Sequence, residues 1–138
     1  MKRFGPAVLT LAIFLLAGCA MAGGPAMTAP PGGPYQKVSA LVPLPDFIPG
    51  LGTLYVDPQT LPAGPFLAYD RQGTLVSSVY MIPMKDITAH KQFANLAAAN
   101  AKVDHVDMYY NAGHPGVAEP HYHVVIWYVS AEKAAALK

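Results

Sequence analysis

The chain has 138 residues, nine basic and eight acidic, for a net charge of +1, and only 12% of its residues carry charge. That balance, with no basic run, excludes nucleic acid and anionic lipid as electrostatic partners. A single cysteine excludes both an internal disulfide and a thiolate metal site.

Lys2 and Arg3 precede an apolar run over residues 7–16, interrupted only by Thr10, which leads into Leu16-Ala17-Gly18-Cys19. A basic n-region, an apolar h-region and a small-residue cleavage site, in that order, make residues 1–18 a signal peptide. The run is shorter than the ~20 residues needed to span a bilayer. The Leu-Ala-Gly-Cys ending resembles the lipobox of bacterial lipoproteins. That resemblance implies cleavage before Cys19, acylation of its thiol with palmitate-type chains, and a place in the bacterial cell envelope. Ala20 stands where many enteric lipoproteins carry an inner-membrane retention aspartate, which favours the outer membrane. Cleavage removes two of the nine basic residues and no acidic one, so seven face eight and the mature chain is close to neutral.

Residues 19–34 are almost wholly Gly, Pro and Ala and read as a tether that holds the folded part off the lipid surface. Residues 35–138 have the length of a single domain. Within it, residues 37–44 suit an edge strand or extended arm, limited by Pro43, Pro45 and Pro49. Residues 53–56 form a short strand. Residues 65–69 and 74–82 form two strands joined by Asp70-Arg71-Gln72-Gly73, a tight hairpin turn. The period then turns helical over residues 86–99, with Asp86 as N-cap. Residues 103–110 and 121–129, rich in Val, Ile, Tyr and Trp, are the two strongest strands. A short helix over residues 131–137 follows a Ser130 cap. The predicted fold is α+β: a small antiparallel sheet with one main helix on one face and a short C-terminal helix.

Four of the five histidines fall between His105 and His123. Alternation along a strand puts His121, His123, Val125 and Trp127 on one face. Tyr122, Val124, Ile126 and Tyr128 occupy the other, which reads as the core face. A hairpin centred near Pro115 sets Asp107 opposite His123 and Tyr109 opposite His121, with His105 one step farther along. His121, His123, Asp107 and His105 are therefore the candidate metal ligands. Glu119 and His114, the latter in a loop able to close over the site, are alternates. Nitrogen and oxygen donors without thiolate suit a divalent transition metal: zinc, copper, nickel or iron. Met81, Met84 and Met108 read as core rather than as a copper(I) site. His90 reads as a surface residue of the helix. No nucleophile elbow or phosphate loop is present.

Residues 105–123 also resemble the C-terminal core of small secreted bacterial proteins of unknown function, some linked to envelope stress; that likeness carries over no catalytic residue. The His121-Tyr122-His123 strand is similar to the cupin metal pair. Val124-Val125-Ile126-Trp127 stands where the cupin glutamate would follow, so cupin chemistry is not carried over. Three functions fit these residues. The first is an envelope-anchored module that binds a metal or ligand on the histidine face. The second is a metal-assisted enzyme in which Glu119 or His114 moves protons. The third is an interaction lipoprotein whose sheet face docks an envelope protein or a second copy of the chain.

Overall fold

The computed structural model describes residues 26–138. The expected signal peptide, residues 1–18, and with it Cys19 and residues 20–25, lie outside the described residues. Six antiparallel strands form one sheet in the order β1-β2-β3-β4-β6-β5. They are β1 (Gln36–Lys37), β2 (Thr53–Val56), β3 (Phe66–Tyr69), β4 (Leu75–Pro83), β5 (His105–Asn111) and β6 (His121–Trp127). Two short α-helices, α1 (Met84–Thr88) and α2 (Ala131–Ala135), and two single-turn 3-10 helices (Val38–Ala40 and Pro58–Thr60) complete the elements, the first 3-10 turn standing within the segment expected to be an edge strand or extended arm. No helix among the described residues is long and apolar enough to cross a membrane.

The β3–β4 hairpin forms where Asp70 and Gly73 predict it. The Asp70 carboxylate accepts from the backbone N–H groups of Gln72 at 3.0 Å and Thr74 at 2.8 Å, and Gly73 takes φ +78°. Ser130 caps α2 by accepting from the Lys133 N–H. Of the residues read as a tether, Ala26 to Ala29 lie against this hairpin. Ala29 N–H donates to Gly73 O at 2.8 Å, Leu75 N–H to Met27 O at 2.9 Å, and the Tyr69 hydroxyl to Ala26 O at 2.8 Å.

Both faces of the sheet are covered over β3 and β4, with β4 buried at eight of its nine residues, while the edge strand β5 is largely exposed. One face carries Phe66, Ala68, Val79, Met81, Val125 and Trp127, packed under Val42, Leu44, Phe47 and Leu51 and under the C-terminal Ala134 and Leu137. The opposite face carries Leu67, Tyr69 and Leu75 under Ala29, Tyr35 and Ala99. The described residues thus supply a sheet and the layers that cover its centre.

Two expectations are corrected. The helix predicted over residues 86–99 shortens to α1, whose N-cap is Pro83 rather than Asp86. His90 and Asn95 adopt φ of 55° and 56°, and the Tyr80 hydroxyl donates to the Ala97 carbonyl. Contact with the sheet overrides the helix preference of this alanine-rich stretch. The core face of β6 is also the reverse of the expected one. His121, His123, Val125 and Trp127 are buried, whereas Tyr122, Val124 and Ile126 are half-buried. The Pro-interrupted segment after β1 folds over the histidine side, which decides which face is inside.

Candidate metal centre

Strand alternation alone brings His121 and His123 to the same buried face, with side chains 0% and 5% exposed. The third histidine comes from the β5–β6 connection. His114 and Val117 exchange two backbone hydrogen bonds of 2.9 Å around Pro115-Gly116. Proline first and glycine second, at φ +90°, suit a type II turn. An added Cβ at Gly116 would lie 2.9 Å from Val42 Cγ1, so the turn packs tightly on the covering segment and holds His114 over the strand.

The ligand atoms of His114, His121 and His123 lie within 4.8 Å of one another. The His121 and His123 Nε2 atoms are 3.0 Å apart. Each outer Nδ1 is held by an oxygen: His121 by the Glu119 carbonyl at 2.6 Å, His123 by the Tyr109 hydroxyl at 3.0 Å, and His114 by the Pro115 carbonyl at 3.0 Å. A carbonyl only accepts, so His121 and His114 carry their protons on Nδ1 and leave Nε2 bare. This is the outer-shell arrangement that orients metal-bound histidines. Metal–nitrogen bonds of ~2.0–2.1 Å set two nitrogens on one tetrahedral ion roughly 3.3 Å apart, close to the His121–His123 separation. For His114 to join the same ion, a separation of up to 4.8 Å would have to close to about 3.3 Å.

Without an ion, the proton chain is also defined. Tyr109 O–H donates to His123 Nδ1, His123 Nε2–H donates to His121 Nε2, and His121 Nδ1–H donates to Glu119 O. Were His123 to ligate through Nε2, its proton would sit on Nδ1 and the Tyr109 hydroxyl oxygen would accept it. Burial, together with neighbouring His121 and His114, pushes His123 down to about 4, so this ring is neutral at neutral pH and ready to ligate. Burial and the Asp107 carboxylate raise Tyr109, which keeps its proton.

The other predicted ligands lie elsewhere. Asp107 pairs in register with Val125 and His105 with Trp127, while Tyr109 faces His123 and Asn111 faces His121. The register differs from the expected one by two residues. The turn is centred between Pro115 and Gly116, and the return arm, Ala118-Glu119-Pro120, holds one residue more than the outgoing Ala112-Gly113; together these move the centre of the ladder from Pro115 to Gly116 and its partners by two. Asp107 accepts from Trp127 Nε1 at 2.8 Å. His105 stacks on the Trp127 ring and hydrogen-bonds Asp104 at 2.8 Å. The Glu119 carboxylate pairs with Lys85 at 2.7 Å on the surface, and only its carbonyl serves the centre. His90 is exposed at the end of α1, Met81 is buried on the histidine side and Met108 is exposed.

Beside the triad, between sheet and covering segment, lies a cavity of about 290 Å³. His114, His123, Tyr109 and Asn111 form one end of its wall, and the rest is apolar. Sequence reasoning missed this cavity. Its one signal is Val42, Leu44, Leu51 and Leu54, apolar residues in a Pro-rich stretch that need a surface to cover.

No protein-family model and no curated protein matches the chain. Among solved structures it is similar to the crystal structure of a hypothetical protein, TTHB210, from Thermus thermophilus, at 48% identity and a TM-score of 0.61. The match covers 68% of this chain and 86% of that one.

Proposed function

The chain belongs to the same family as that hypothetical protein of Thermus thermophilus, and we propose that it is an envelope-anchored lipoprotein whose domain binds a divalent transition metal, zinc first, through His114, His121 and His123. The observation that carries this reading is the convergence of three histidines whose outer nitrogens are each held by an oxygen. Three neutral imidazoles without carboxylate or thiolate suit zinc and leave a fourth position for water or a ligand. Lipid on Cys19 is the proposed attachment, with the outer membrane as its place.

The test is metal content and thermal stability of the chain starting at Ala20, made without a histidine tag, beside the double variant His121→Ala, His123→Ala. Near-stoichiometric metal in the parent, its loss in the variant, and a Tm that falls on chelation are the expected results. Both proteins metal-free, with zinc, copper, nickel and iron shifting neither Tm, would sink the reading.

The open position beside a cavity also favours a second reading, metal-assisted hydrolysis. A metal-bound water with its pKa lowered toward 7 would be the nucleophile. Zinc-dependent cleavage of an activated ester, abolished by His123→Ala, separates catalysis from binding.

A further inference from the structure

We infer that the cavity next to the histidines is a binding site for a small amphiphilic carboxylate, whose apolar tail fills the cavity and whose carboxylate takes the open metal position. The inference rests on the metal reading above and adds the ligand class.

Polarity is distributed unevenly around the cavity. Its polar wall residues, Tyr109, Asn111, His114 and His123, come from β5, β6 and the turn between them, at one end. The remainder is walled by aliphatic and aromatic carbon, with Val79 and Met81 from the sheet and Leu44 and Leu51 from the covering segment. Such a space rejects a ligand with polar groups at both ends, because the distal group would lose its water without a partner. It accepts one head and one tail.

Size narrows the class. The cavity, about 290 Å³, is roughly twice the ~150 Å³ that admits benzene. A tail of about eight to ten carbons therefore fits, and a membrane-length acyl chain does not. Charge selects the head. No Lys or Arg lines the cavity, so neutral histidines alone offer an anion no countercharge. A divalent ion on the triad supplies it. Carboxylate binding is thereby linked to metal binding, and each must tighten the other by the same factor. A free acid meets this requirement, whereas an ester-linked lipid chain has no carboxylate to ligate.

Calorimetric titration of butanoate, hexanoate, octanoate, decanoate and hexadecanoate into the chain starting at Ala20, with and without zinc, tests the inference. Octanol serves as the head-group control. Affinity should rise roughly fourfold per added CH₂ up to about ten carbons and then fall. Removing zinc should weaken octanoate at least tenfold and leave octanol unchanged. Leu44→Trp, placed in the covering segment rather than the sheet, should block octanoate and spare zinc. The cobalt(II) form should change its visible spectrum on adding octanoate. Zinc binding with no chain-length dependence would overturn the amphiphile site and leave the metal centre standing. Octanoate binding that ignores zinc would overturn the carboxylate–metal link. A protein that takes up no metal would instead fail the earlier reading.

Discussion

His123 carries the most exposed consequence of this site, because its ring is buried and flanked by two other imidazoles. Its pKa falls to about 4 in the folded protein, against an ordinary value of ~6.5 in an unfolded chain. Above pH 6.5 both states are neutral there and stability does not depend on this ring. Between 6.5 and 4 the unfolded chain binds a proton that the folded chain refuses, so stability falls as pH falls; below 4 the loss levels off. Thermal melts of the metal-free chain should show Tm dropping through that window. His123→Gln should flatten the slope, and an unchanged slope would mean that another group governs it. At this scale the sequence was largely legible. His121 and His123 share a face by alternation, which no register can undo. Their burial was not legible, because both faces of β6 carry apolar residues and only the covering segment distinguishes them.

The β5–β6 hairpin shows how one connection sets a site. A two-residue change of register keeps every side chain on its own face while exchanging its neighbours. Asp107 thereby went to Trp127, and Tyr109 went to His123. Had the ladder been centred on Pro115, carboxylate and imidazole would have met instead. The turn that delivers His114 depends on Gly116, at φ +90° and against Val42. Gly116→Ala should cost about 1–3 kcal/mol of stability. It should weaken zinc about tenfold by lifting His114 away while the His121–His123 pair persists. Isothermal titration with zinc and a thermal melt measure both, and unchanged zinc affinity would remove His114 from the ligand set. The shortened helix carries the same lesson. Residues 94–99 read as helix by the spacing of their apolar residues, yet the Tyr80 hydroxyl and the Leu67–Tyr69–Leu75 cluster draw them out along the sheet.

For the whole molecule, the folded domain and the proposed lipid anchor set a geometry. The chain is held to the hairpin from Ala26 onward, so six residues, or seven Cα–Cα steps, separate Cys19 from the folded part. Fully extended, they reach at most ~25 Å. The domain would stand close above its membrane, within reach of amphiphiles that leave it. Metabolic labelling with palmitate should mark the parent and not Cys19→Ala, which should appear in the soluble fraction. An unlabelled parent would end the lipoprotein reading.

What the sequence determined by itself is the local chemistry: the hairpin turn at Asp70 to Gly73, the Ser130 cap, and two histidines on one face of a strand. Each follows from residue type and spacing over a few positions. The lipobox-like ending at Cys19 was equally legible, though it lies outside the described residues. Only the tertiary structure decided which face is covered, which loop arm is longer, and that a cavity remains beside the histidines. Those outcomes depend on segments distant in sequence, because packing is settled by which surfaces meet and not by the pattern within either one.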